Sequence, residues 1–351
     1  LINLLGRKIS DGRFLELIRR FLKAGYFEFK QVHNSLSGTP QGGIISPILA
    51  NIYLYELDKY MEELIKENLT NYIRRSNPIY QRLNYSRCMA NKKGDYDKAE
   101  ELLRQMRKLH RLDQMDKGYI RVKYVRYADD FVVCIIGSKS LAEELREKIK
   151  SFLQNELKLE LSLEKILITN LNDSRVKFLG YEIAKTRDNT VLTENSISVK
   201  KRAANETIQL LIPGEVVKKK LEPFMRNGKA VHHNARINLP ILDLINEYNA
   251  EIRGLYNYYC LATDVSTKLG KFKFYHYYSL AKTIARKEKC SVKKVIDRYG
   301  IDVGLKNGTG TRKIIGDKYQ TKYGEKTMTY FNDSLKKVNQ PKTEVCDRLI
   351  P

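Results

Sequence analysis

Tyr124-Val125-Arg126-Tyr127-Ala128-Asp129-Asp130-Phe131-Val132-Val133-Cys134-Ile135-Ile136 is the stretch on which the reading of the whole chain depends. Residues 119–126 alternate in the manner of a strand with one buried face. Phe131–Ile136 is an apolar run closed by Gly137, which predicts a fully buried strand. Tyr127-Ala128-Asp129-Asp130 links the two and so sets a pair of adjacent carboxylates on a hairpin. Asp is common in turns for local hydrogen-bonding reasons, and a bare Asp-Asp points first to turn chemistry. Here the pair sits on a sheet, where like charges repel and burial without a cation is costly. Hard divalent ions accept such oxygen ligands, and two of them can clamp the attacking and leaving oxygens of a phosphoryl displacement.

Outward from the hairpin, Ser140 and Glu143 predict a capping box for a helix over Leu141–Leu157. Lys165–Thr169 and Val176–Ile183 read as two further strands, giving an α+β sheet with helices on one face. Upstream, the chain opens with helical spacing at Leu1, Leu4, Leu5 and Ile9, continues through a helix over Leu15–Leu22, and predicts a short hairpin at 26–36. The turn-rich loop Ser37–Gly43 then leads into a long helix over Ile44–Ile65. Residues 66–118 are charged and mostly helical, broken at Lys92-Lys93-Gly94-Asp95, and read as an insertion. Downstream, Ile241, Ile245, Tyr248, Ile252, Leu255 and Tyr259 mark a packed helix face. Further helices are predicted at Tyr278–Lys289 and Ser291–Tyr299, followed by an irregular Gly-punctuated basic tail at 304–330.

Composition narrows the function class. The 351 residues hold 64 Lys and Arg against 41 Asp and Glu, a net charge of +23, which calls for a polyanionic partner because phosphate contacts release condensed counterions. With 42% hydrophobic and 30% charged residues, wholesale disorder is excluded. The five Cys are scattered without a CxxC pair, which excludes a disulfide scaffold or zinc module and points to a reducing compartment. The longest apolar run, Phe131–Ile136, is far short of the ~20 residues that cross a bilayer, so no membrane partner is expected.

Four blocks in a fixed order resemble group II intron-encoded reverse transcriptases. Tyr127-Ala128-Asp129-Asp130 resembles their catalytic hairpin, and Ser37-Gly38-Thr39-Pro40-Gln41-Gly42-Gly43-Ile44-Ile45-Ser46-Pro47 resembles the nucleotide- and template-contacting loop. Leu161-Ser162-Leu163-Glu164-Lys165 resembles the following motif with its lysine, and Phe178-Leu179-Gly180-Tyr181 the primer-grip hairpin. The resemblance implies a partial polymerase palm at 1–190, an antiparallel sheet with helices on one face that carries the insertion at about 66–118. An α-helical thumb/maturase domain with a basic C-terminal tail would follow at 191–351. Asp129 and Asp130 would be the metal-binding catalytic carboxylates of a two-ion Mg²⁺ site, with deoxynucleoside triphosphates as substrates. Lys165 would neutralise or protonate the departing pyrophosphate. Pro40, Gln41, Gly42, Tyr127 and Ala128 would contact nucleotide and template. Gly42 permits close backbone approach and Gln41 offers both donor and acceptor. Phe178, Leu179 and Gly180 would position the primer end. The family's third catalytic Asp falls just upstream of Leu1, so this polypeptide alone is expected not to extend a primer.

The second half resembles the family's maturase domain in Arg253-Gly254-Leu255-Tyr256-Asn257-Tyr258-Tyr259-Cys260-Leu261-Ala262 and Tyr278-Ser279-Leu280-Ala281-Lys282-Thr283-Ile284-Ala285-Arg286-Lys287. Residues 198–236 hold nine Lys and Arg against three acidic residues. Lys200, Lys201, Arg202, Lys218, Lys219, Lys220, Arg253, Lys282, Arg286 and Lys287 are therefore the candidate RNA-binding residues, against the plainer reading of a solvated basic face. The implied partners are a group II intron RNA, template RNA and a DNA primer or target, with a homodimer left open. The implied compartment is the bacterial cytoplasm, or alternatively an organellar matrix. The competing functional reading is a non-catalytic RNA-binding splicing cofactor that keeps the polymerase fold as a scaffold.

Overall fold

A computed structural model describes residues 1–23, 44–113, 115–159, 166–186, 207–304 and 310–338, together with the backbone of short strands at 26–28, 31–33, 192–194 and 200–202. The chain divides into two compact units at Ile168/Thr169.

The first unit contains α1 (Ile2–Gly6), α2 (Gly12–Lys23), β1 (Tyr26–Glu28), β2 (Gln31–His33), α3 (Ser46–Asn68), α4 (Pro78–Lys92), α5 (Tyr96–Arg107), β3 (Arg121–Tyr127), β4 (Asp130–Ile136) and α6 (Lys139–Asn155). Its centre is the antiparallel pair β3–β4, in register from Arg121↔Ile136 to Tyr127↔Asp130. Directly opposed residues share a face, so Val122, Tyr124, Phe131, Val133 and Ile135 meet Leu57, Met61 and Leu64 of α3 and Leu145, Ile149 and Leu153 of α6. Among the described residues only that face is covered. Val125 is 57% and Ile136 44% exposed, so the apolar run is a one-sided strand rather than the fully buried one expected. A smaller cluster of Leu5, Ile18 and Leu49 joins α1, α2 and the start of α3.

The insertion is a helical hairpin. Asn77 caps α4 by accepting the Ile79 N–H at 3.0 Å, with Pro78 at the first helical position, and Asp95 caps α5 by accepting the Lys98 N–H at 3.2 Å. Its two ends are clasped: the Ile120 N–H donates to Thr70 Oγ1 at 3.0 Å, and the Arg121 guanidinium donates to the Thr70 carbonyl and, at 3.1 Å, to that of Tyr72. The cap of α6 is Ser138, whose Oγ accepts the Leu141 N–H at 3.1 Å. The predicted capping box on Ser140 fails because Ser138, extended at φ −77° and ψ 160°, already begins the helix one residue beyond it.

The second unit contains β5 (Val176–Phe178), β6 (Tyr181–Lys185), β7 (Leu192–Glu194), β8 (Lys200–Arg202), β9 (Ile208–Leu211), α7 (Gly214–Leu221), β10 (Met225–Arg226), β11 (Lys229–Ala230), α8 (Ile241–Tyr259), α9 (Val265–Lys287), α10 (Val292–Tyr299), β12 (Gly300–Gly304), β13 (Thr311–Thr321) and β14 (Gly324–Thr329). Ile245, Tyr248, Ile252 and Tyr259 of α8 are buried, as their spacing predicts. They pack with Leu269, Phe272, Leu280 and Ile284 of α9, which begins at Val265, well before the predicted Tyr278.

Three other expectations change. Residues 166–169 form no strand, and Val176–Ile183 is two strands, because Leu179 and Gly180 at φ +46° and +73° fold a two-residue turn between β5 and β6. The tail expected to be irregular is instead the antiparallel sheet β12–β13–β14, anchored by buried Ile314 and Ile315, with Lys322 and Tyr323 turning the chain just before Gly324, φ +108°. The 176–185 hairpin lies in the second compact unit, where β6 pairs with β9.

Candidate active site and nucleic-acid-binding residues

The tight pairing Tyr127↔Asp130 leaves Ala128 and Asp129 as the two turn residues. Ala128 has φ +50°, a value that favours Gly, while Asp129 does not share the positive value. An alanine there carries roughly 1–2 kcal/mol of backbone strain. Residues 127–130 are all exposed, Tyr127 at 67%. The carboxylates therefore stand in solvent at the end of a packed hairpin, and the expected cost of burying like charges does not arise.

Arg126 holds this turn from below. Its Nη1 donates to the Ala128 carbonyl at 2.9 Å and to Asn51 Oδ1 at 3.0 Å, while Nε and Nη2 grip Asp58 of α3 at 2.8 and 2.5 Å. The Tyr124 hydroxyl also donates to Asp58 Oδ1, at 3.0 Å. The guanidinium holds the Asp58 carboxyl below the ordinary carboxylate range, and Asp58 in turn raises Arg126. Burial, then the neighbouring Asp58, pushes the Tyr124 phenol up. Neither Arg126 nor Asp58 was singled out from the sequence. The signal available was an arginine on the inward side of an alternating strand, in line with Val122 and Tyr124.

Asp129 and Asp130 supply hard oxygen donors on one exposed turn, a donor set that fits Mg²⁺. Among the described residues no group of three or more His, Cys, Asp or Glu side chains is placed to hold a metal ion. Pro40, Gln41, Gly42 and Lys165 lie outside the described residues.

At the 178–180 site, Phe178 and Leu179 are half-buried and Gly180 is exposed. The end of α8 fixes this turn. The Tyr258 hydroxyl donates to the Leu179 carbonyl at 2.8 Å, the Tyr259 hydroxyl to the Gly180 carbonyl at 3.1 Å, and the Tyr181 hydroxyl to the Tyr258 carbonyl. A Cβ at Gly180 would stand 3.1 Å from Tyr258 Oη. Sequence periodicity placed Tyr259 in the core but gave no sign of this contact.

The basic candidates separate by environment. Lys218, Lys219 and Lys220 on α7, Arg253 on α8 and Arg286 on α9 are exposed, and Lys287 is half-exposed. Lys282 is half-buried and donates to the Ala230 carbonyl at 2.7 Å, so it has a structural partner. Arg236, counted in the basic stretch, is likewise engaged: it pairs with Glu247 at 2.9 Å and Glu251 at 2.6 Å and lies over the Tyr248 ring. Lys200, Lys201 and Arg202 form β8, and their side chains lie outside the described residues. No helix among the described residues is long and apolar enough to cross a membrane.

Two family models match the chain. The family model for reverse transcriptase (RNA-dependent DNA polymerase) matches residues 99–183, and that for type II intron maturase matches 205–347. The group II intron-encoded protein LtrA of Lactococcus lactis subsp. cremoris is 38% identical over 95% of this chain and 56% of its own length. The putative COX1/OXI3 intron 1 protein of Saccharomyces cerevisiae is 29% identical over 96% of this chain and 40% of its own. Protein YkfC of Escherichia coli is 31% identical over 52% of this chain and 41% of its own. The chain thus spans about half the length of the relatives it matches. In sequence order the chain thus carries a segment matching reverse transcriptases and one matching type II intron maturases, and along nearly its whole length it is similar to group II intron-encoded proteins.

Proposed function

We propose that the protein carrying this chain is an RNA-directed DNA polymerase that also assists the splicing of its group II intron RNA. The observation that supports this most is the exposed Asp129–Asp130 pair on a strained turn braced against α3, since a scaffold has no use for a strained, solvent-facing carboxylate pair. Asp129 and Asp130 would hold Mg²⁺, which when bound supplies positive charge where a primer 3′-hydroxyl meets the α-phosphate of a deoxynucleoside triphosphate. Tyr127, beside them and exposed, is free to stack on a base or sugar. The Leu179–Gly180 turn, pinned by Tyr258 and Tyr259, would present backbone to the primer end. The Pro40–Gly42 loop would contact nucleotide and template, with Lys165 on the leaving pyrophosphate. Lys218, Lys219, Lys220, Arg253 and Arg286 would meet intron RNA phosphates. The work would take place where the intron is transcribed, in a bacterial cytoplasm or an organellar matrix.

The test is Asp129→Asn in the full reading frame, with DNA synthesis and splicing measured on one preparation. Synthesis is expected to fall by orders of magnitude while splicing stays near normal. Persisting synthesis makes Asp129 a turn residue only. Joint loss from a folded protein shows that the two activities share a site.

A further inference from the structure

We propose that Arg126, anchored by Asp58, is a positioning residue that holds the Ala128–Asp129 turn in its strained conformation and so aims both carboxylates. The inference rests on the polymerase reading above and extends it to residues that touch no substrate.

Four guanidinium hydrogen bonds carry the argument. Two grip Asp58 in a fork, one reaches Asn51, and one reaches the carbonyl of Ala128 itself. Asn51 and Asp58 lie two turns apart on α3, so both anchors belong to one rigid element whose Leu57 and Met61 are buried. The Arg126 side chain is 11% exposed and Asp58 25%, which shields the pair from water and salt. A hairpin turn with alanine at φ +50° has a local reason to relax, and the Arg126 bond falls on the residue that carries this strain. Lysine cannot replace it, because a single ammonium lacks the planar fork that serves a carboxylate and a carbonyl together.

The variants are Arg126→Lys and the near-isosteric Asp58→Asn, which keeps the volume if the first should fail to fold. In the 351-residue chain, amide exchange over residues 127–130 should quicken at least tenfold while the cores of α3 and α6 keep their protection. Unchanged exchange at the turn overturns the proposal, and so does an equal rise throughout the unit. In the full reading frame, kcat for nucleotide addition should fall about 10- to 100-fold with KM for the nucleotide nearly constant, the effect of ångström-scale misplacement. Asp129→Asn runs beside them. If it abolishes synthesis while Arg126→Lys leaves kcat intact, only the brace is wrong. If synthesis survives Asp129→Asn, the polymerase assignment of this turn fails, and the exchange data still decide whether Arg126 holds it.

Discussion

Replacing Tyr259 by Phe should loosen the 178–180 turn far more than the same change at Tyr258, although each hydroxyl makes one bond to that turn. The difference lies in water. Tyr259 is 5% exposed, so water poorly fills the place its hydroxyl leaves beside Gly180, whereas Tyr258 is 55% exposed and water can take its place at Leu179. An unmade hydrogen bond in a buried setting costs roughly 1–3 kcal/mol; because Gly180 itself is exposed, the lower part of that range, ~1–2 kcal/mol, applies to Tyr259→Phe. Tyr258→Phe should cost about 0.5 kcal/mol or less. The Tyr259 bond is thus comparable to the ~1–2 kcal/mol that a non-glycine residue forfeits at a positive φ, here Leu179 at +46°. Native-state amide exchange over residues 176–185 measures this directly. One to two kcal/mol corresponds to exchange faster by a factor of about 5–30 in Tyr259→Phe, with Tyr258→Phe close to the unaltered protein. Equal acceleration in the two variants would refute the argument from burial, and no acceleration in either would show that hydroxyl bonds do not hold the turn.

The second unit should lose stability on acidification. Burial pushes the Glu251 carboxyl up, but hydrogen bonds from His276 and Arg236 overcome this and hold it at about 2; burial keeps His276 below its ordinary range despite Glu251. Both folded values lie below the unfolded ones, so the unfolded chain binds more protons, and stability present above about pH 6.5 falls as pH drops first through the histidine range and then from about 4.3 toward 2. The Glu251 share is roughly 1–2 kcal/mol, discounted because its side chain is 37% exposed, and a thermal midpoint flat from pH 7 to pH 3 would contradict it. Changing Lys218, Lys219 and Lys220 together to Ala should flatten the log–log salt dependence of RNA binding by about two to three units, and an unchanged slope would leave them as a solvated face. Lys282→Ala should lower stability by about 1 kcal/mol with the salt slope unaltered, and a slope reduced by about one at constant stability would return Lys282 to the RNA-binding set.

The hairpin was legible because strand alternation is local: Val122, Tyr124 and Arg126 occupy one face whatever lies elsewhere. Its depth was not legible, since an apolar run reads alike whether both faces are covered or one, and Val125 and Ile136 proved exposed. Charge was legible in sum and illegible in detail. Lys282 and Arg236 find their partners in Ala230 and Glu251, 52 and 15 residues away on other elements, and no local pattern separates them from exposed Lys219. The same holds for Arg126 and Asp58, 68 residues apart. The sheet at 300–329 was missed because its glycines read as breakers, whereas Gly316 sits inside β13, where an added Cβ would stand 2.7 Å from the Met328 carbonyl oxygen.

The clasp between Thr70 and Ile120 also makes the α4–α5 hairpin interchangeable. Because the Ile120 N–H and the Arg121 guanidinium close the neck at Thr70, the chain leaves and re-enters the unit at neighbouring points, and what lies between adds only a slowly growing loop-closure entropy. The hairpin could be shortened to a turn, or replaced by an affinity tag or a fluorescent domain, without disturbing the strand that leads to Asp129. Residues 78–107 are thus a natural port for attaching cargo to this protein.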